Sequence, residues 1–185
     1  PLWDIRLADS QPLGNFQAKN IPLLDFHELA AGKLAALLSR RQTRDLFDCH
    51  RLLRMDNIVL NSLRTAFVVY GAMNRKDWRT VSAEDVDFSA AELNSQLKPS
   101  LNARAQQGIG TPAEYGARLL KECRQALSIV LPFTTAELEF LSLLLDKGEI
   151  APALLTADLE LQERIRKQPL LEWKALNVRQ HKGIS

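Results

Sequence analysis

The chain has 185 residues, a formal net charge of +2, and 46% hydrophobic against 25% charged residues. That balance excludes a disordered chain and is far from the strongly basic make-up of a dedicated nucleic-acid binder. No apolar run approaches the roughly 20 residues that span a bilayer, and no secretory signal pattern opens the sequence. Cys49 and Cys123 match no metal-ligand spacing, and only three histidines are present, so a zinc site and a disulfide framework are not expected. The expected compartment is reducing and cytoplasmic, with no membrane association.

In chain order, residues 1–24 stand apart. Trp3, Ile5 and Leu7 alternate with Asp4 and Arg6, Pro12, Gly14 and Asn15 supply turn residues, and Phe16 to Leu24 runs as a second extended stretch. This period-two pattern predicts strands, and two short strands are not stable alone. From Asp25 the pattern is helical. Predicted helices lie at 25–40, 44–55, 57–73, 89–97, 112–130, 135–147, 157–167 and 169–177. Capping boxes are expected at Asp25–Glu28, Ser89–Glu92 and Thr134–Glu137, and Thr111 precedes a proline at the first helical position. Thr156 opens a later helix, and Gly148 reads as a helix stop. Residues 98–110 read as a loop. The fold expected is mainly α, a multi-helix bundle with a short N-terminal β or extended segment.

Residues 25–55, DFHELAAGKLAALLSRRQTRDLFDCHRLLRM, carry the most information. On a helical wheel from Asp25, the residues Phe26, Leu29, Ala30, Ala36 and Leu37 fall within about 20–140°, and Lys33 lies near 80°, inside that apolar stripe. A lysine there needs a partner or must reach outwards. The next helix places Asp45 and Asp48 on or beside the face formed by Leu46, Cys49, Leu52 and Leu53. If the chain reverses around Arg41–Thr43, Lys33 and these carboxylates come level. A continuous helix would hold Lys33 and Asp45 about 18 Å apart. A purely structural account competes: Asp45 suits a helix N-terminus, Arg44 and Asp48 are spaced as an i,i+4 pair, and a Lys–Asp pair can simply fix helix register. Gly32, inside a helix, suggests a close approach by another element or a ligand.

The string from Leu29 through Lys33, Arg40, Arg44 and Asp45 to Asp48 resembles the K-x-x-A-L … R-D-x-x-D motifs of the AbiEii family, nucleotidyltransferase-like toxins of type IV toxin–antitoxin and abortive-infection systems. Weaker similarity continues through Asp146–Ile150 and Leu170–His181. The resemblance implies transfer of a nucleotide from an NTP to an acceptor such as tRNA, with Mg²⁺, and a cognate antitoxin as partner. It implies Lys33 and Arg44 as nucleotide-binding residues and Lys33, Asp45 and Asp48 as catalytic ones, with Arg44 holding the two aspartates. The family's Gly-rich motif and sheet-borne D-x-D are missing from these residues. Asp85 and Asp87 spell D-V-D in a polar connection, without the strand and turn the motif requires. The resemblance therefore implies the C-terminal part of such a protein, inactive alone: 1–24 as the remnant of a transferase sheet, 25–55 as a helical hairpin, and 56–185 as a helical domain. The alternative is a non-catalytic helical interaction module or an RNA-binding module.

Other features point less sharply. Trp3, Trp78 and Trp173 read as packing residues, and His27, His50 and His181 show no ligand spacing. Two stretches, 31–54 and 162–182, each hold six basic and two acidic residues, an excess of four positive charges apiece. Such zones suit an acceptor RNA or are solvated helix faces.

Overall fold

The computed structural model describes residues 1–40, 42–101, 106 and 110–183. The expected connection at Arg41 and most of the loop at 98–110 lie outside them. The architecture is mainly α with one small sheet, as the sequence predicts. Strands β1 (Arg6–Ala8) and β2 (Ile21–Leu23) pair antiparallel, with Arg6 opposite Leu23 and Ala8 opposite Ile21. Helices follow as α1 (Phe26–Arg40), α2 (Thr43–Leu52), α3 (Leu60–Ala72), a short α4 (Ala90–Glu92) continuing as a π-helical turn over Leu93–Leu97, α5 (Pro112–Ala126), α6 (Thr135–Ser142), α7 (Leu159–Arg166) and α8 (Pro169–Lys182). A second π-helical turn, Leu143–Lys147, extends α6 and ends at Gly148 in the left-handed region, the expected stop. Short 3₁₀ turns at Trp78–Thr80, Ala83–Asp85 and Pro152–Leu154 were not anticipated, and α8 runs five residues beyond its expected end at 177.

Helix α3 is the axis of the core. Leu63, Ala66, Phe67, Val68, Val69 and Ala72 are all buried, so it is enclosed on nearly every side. α1 packs along it, and α2 is wedged between α1 and α5. Trp78 is fully buried with its ring 5.4 Å from that of Phe67. It fits because residue 71 is glycine: a Cβ there would lie 1.8 Å from the Trp78 indole nitrogen. Trp3 is half-buried and Trp173 is exposed.

Two of the five expected caps form complete boxes, Thr111–Glu114 and Thr134–Glu137. Ser89 accepts from the Glu92 amide, but the Glu92 carboxylate turns instead to the Thr43 amide and hydroxyl, 3.3 and 3.1 Å away. The expected box at 25–28 is replaced. Glu28 is fully buried and accepts hydrogen bonds from the Leu2 amide (2.8 Å), the Trp3 amide (3.2 Å) and the Tyr70 hydroxyl (2.9 Å). These distant donors satisfy a buried carboxylate better than one solvent-facing amide would. Asp158, rather than Thr156, caps α7, and Thr156 accepts from the Asp158 amide.

The face of α1 also differs from the wheel. The buried positions are Glu28, Ala30, Ala31, Leu34, Ala35, Leu37 and Leu38, while Leu29 is exposed. This face is centred roughly a third of a turn or more from the expected stripe, which puts Lys33 at its margin. α1 is apolar almost all round, so its own periodicity does not choose a face; packing on α3 does. Nor does Gly32 mark a tight approach, since a Cβ there would meet the Tyr70 ring at 3.6 Å, an ordinary contact.

Candidate functional site

The chain reverses between Arg40 and Thr43, and α2 starts without a side-chain cap of its own, because Gln42 supplies none. Glu92 does that work from outside through Thr43. The reversal sets Lys33 of α1 beside Asp48 of α2, with Nζ donating to Oδ2 at 2.8 Å. A straight helix would hold positions 15 apart about 22 Å from each other. The side chains keep 38% and 30% of their exposure, so both charges remain hydrated.

Around this pair is an open cleft of ≈ 290 Å³ lined by Leu29, Lys33, Asp48, Arg51, Leu52 and Met55. Its walls are apolar except for three charged groups. Lys33 and Asp48 compensate one another, which leaves Arg51 as the unbalanced charge. The sequence reading missed Arg51. Its signal was its spacing, one helical turn beyond Asp48 and two beyond Arg44.

Asp45 does not line the cleft. It is buried and faces inward, with Oδ1 and Oδ2 at 3.3 and 3.2 Å from the Arg40 guanidinium; Oδ2 lacks a hydrogen bond. Arg40 therefore takes the place expected for Arg44. Arg44 is exposed and forms no ion pair among the described residues. Beneath α2, Cys49 and Cys123 are free, buried thiols. Burial pushes the Cys123 thiol up to about 12 and raises Cys49 further, with Cys123, Asp45 and Asp48 adding to the effect. Both are held protonated and inert at neutral pH.

His50 and His27 are committed elsewhere. His50 Nε2 lies 2.6 Å from Glu122, which also accepts from Arg54 at 2.8 Å. His27 contacts Asp25 and accepts from the Val59 amide. Asp85 accepts from Lys76 and the Ser82 amide, and Asp87 accepts from the adjacent Phe88 amide, so the D-V-D string belongs to local turns. Among the described residues no three His, Cys, Asp or Glu side chains converge as metal ligands. With Asp48 engaged by Lys33 and Asp45 by Arg40, the described residues of this cleft do not fit a divalent cation.

A larger cleft, ≈ 520 Å³, opens around Arg64, Thr65, Glu137 and Asp158. Its central ion pair is closed: Arg64 donates to both Glu137 oxygens, at 2.9 and 2.5 Å, and to the carbonyls of Ile129 and Pro132. Such a satisfied pair braces α3 against α6 and offers little to a ligand.

No helix among the described residues is long and apolar enough to cross a membrane. Comparison with curated proteins and with solved structures gives no match. A family model described as "Nucleotidyl transferase AbiEii toxin, Type IV TA system" matches residues 3–128. The match extends from the hairpin through α5 and includes the whole Lys33–Asp48 cleft, and it stops short of the similarity noted at 146–181. The chain belongs to the AbiEii family of nucleotidyl transferase toxins.

Proposed function

We propose that this chain handles the triphosphate in a nucleotidyl transfer reaction and that Lys33 is its phosphate-binding cation. The observation that carries this reading is the half-open Lys33–Asp48 pair at 2.8 Å. An ammonium held on a rigid helix, paired but still hydrated, can exchange its carboxylate for a phosphate at small cost. Asp48 orients that ammonium before the nucleotide arrives and is the nearest group to accept a proton. Asp45, neutralised by Arg40, fixes the start of α2 and so positions Asp48. Arg44 adds a cation from the solvent side.

The family uses an NTP and a divalent metal, which neutralises charge on the transferring phosphoryl group. We assign Mg²⁺ that part and expect no transfer by this chain alone. The proposed domains are 1–24 as the margin of a transferase sheet, 25–55 as the phosphate-handling hairpin and 56–185 as its helical support. Exposed Ile5, Leu7, Leu13 and Phe16 on the hairpin support the first of these. A cognate antitoxin, a tRNA acceptor and a cytoplasmic setting complete the proposal; two free thiols accord with a reducing compartment.

The test is calorimetric titration of the chain with ATP, GTP, CTP and UTP in turn. At least one should bind, and Lys33→Met should weaken it about tenfold or more. Unchanged affinity in Lys33→Met would remove Lys33 from the site, and binding of none of the four would favour a non-catalytic helical module.

A further inference from the structure

The two basic stretches of the sequence prove unlike in space. In 162–182 the cations are answered. Arg164 meets Asp4 and Glu160, Arg166 and Lys167 meet Glu163, and Lys182 meets Asp146. Lys174 donates to the carbonyls of Ala72 and Asn74, and Arg179 donates to that of Gly148.

The surface shared by α2 and α5 is different. Positions 44, 47, 48 and 51 recur on one face of α2, and 115, 118 and 122 on one face of α5. The Arg51 guanidinium lies 5.9 Å from the Phe47 ring centre, and that of Arg118 lies 5.2 Å from the Tyr115 ring centre. α2 and α5 pack directly against one another, which joins the two faces into one surface. Arg44, Arg51 and Arg118 are exposed and form no ion pair among the described residues, although Arg118 also acts on Glu122 from one turn away. The acids on this surface are already occupied, Asp48 by Lys33 and Glu122 by His50 and Arg54.

We infer that the α2–α5 surface binds a single-stranded polynucleotide, with phosphates on Arg44, Arg51 and Arg118 and bases stacked on the Phe47 and Tyr115 platforms. Unpaired guanidinium groups attract a polyanion. Rings bearing guanidinium groups are the platform on which unpaired bases stack, and a duplex keeps its bases hidden. Arg51 also lines the Lys33–Asp48 cleft, so a strand lying here passes beside it. Naming that strand as the acceptor rests on the proposed function; the binding itself does not.

The experiment is fluorescence anisotropy of an end-labelled 12-nucleotide RNA with the whole chain, without NTP, from 50 to 300 mM NaCl. Three phosphate contacts predict a log–log salt slope near −2, about 0.7 per contact for a single strand. Arg51→Gln and Arg118→Gln should each weaken binding and flatten the slope by about 0.7. Phe47→Leu and Tyr115→Leu should weaken binding about fivefold or more and leave the slope unchanged. Arg166→Gln and Lys167→Gln should change neither. Thermal melts identify any variant that fails to fold, and the exposed arginine variants keep the test decisive if a ring variant does. A slope indifferent to Arg51 and Arg118, equal affinity for a duplex of the same length, or equal competition by polyglutamate would overturn the inference. Because no nucleotide is present, failure of NTP binding and failure of RNA binding are separate results.

Discussion

Two ion pairs divide this molecule into a closed region and an open one. Arg64–Glu137 has side chains 18% and 10% exposed and spends its remaining donors on backbone carbonyls. Lys33–Asp48 is of similar length but lines a cleft, makes no further hydrogen bond among the described residues, and is neighboured by an unbalanced arginine. The first pair is a brace and the second is a pair waiting for a competitor. Distance does not separate them; hydration and leftover hydrogen-bonding capacity do.

The contrast predicts a large effect at the closed pair. Glu137→Ala strands a largely buried guanidinium and removes the carboxylate half of the α6 capping box, and it should cost about 3–5 kcal/mol in urea unfolding. A loss below about 1 kcal/mol would place Arg64–Glu137 among hydrated surface pairs and erase the distinction.

The floor beneath the open pair should fail in alkali. Burial raises the thiols of Cys49 and Cys123 in the folded state above their ordinary 9.0, Cys123 to about 12. The unfolded chain therefore releases these protons first. The stability they contribute is whole below pH 9 and is lost as pH rises towards about 12, by roughly 1.4 kcal/mol per pH unit for each thiol. Urea midpoints at pH 8, 9.5 and 11 should fall accordingly, and Cys49→Ala/Cys123→Ala should flatten the fall. An equal fall in the double variant would assign the effect elsewhere.

Gly32→Ala should raise stability by about 1 kcal/mol, because the added methyl meets Tyr70 at ordinary contact distance and helix propensity improves. A loss instead would reveal a closer neighbour than Tyr70. Smallest of all, Lys33→Met should shift unfolding by no more than about 1 kcal/mol, since the stranded Asp48 rehydrates. A cost near that of Glu137→Ala would make Lys33 a register-fixing residue.

The sequence exposes the hairpin of α1 and α2 because pairing across a reversal follows from counting residues: Lys33 and Asp48 are equidistant from the turn. Thr111–Glu114 and Thr134–Glu137 are legible because all their partners lie within one helical turn. Where a partner is remote, local reading fails. Glu28 has the spacing of a box residue but is claimed by Leu2, Trp3 and Tyr70, and Glu92 is claimed by Thr43. The buried side of α1 is illegible because Leu29 and Ala36 are as apolar as Ala30 and Leu37, so only α3 decides among them. The identity of the cation on Asp45 depends on how the chain turns after Arg40, which spacing alone does not give.

Glu28 has a mechanical consequence. Residues 4–24 leave the helical body at Trp3 and return at Asp25, and both ends arrive at the first turn of α1, where Glu28 holds the Leu2 and Trp3 amides. The hairpin is thus a lever anchored at its base by Glu28 and tied once more by the Asp4–Arg164 pair. A force applied to its exposed Leu13–Phe16 tip is delivered through Glu28 into α1, whose next turn and a half, about 7.5 Å of helix, leads to Lys33. Whatever grips the hairpin is thereby linked through Glu28 to the helix that carries Lys33, with the Asp4–Arg164 pair sharing the load.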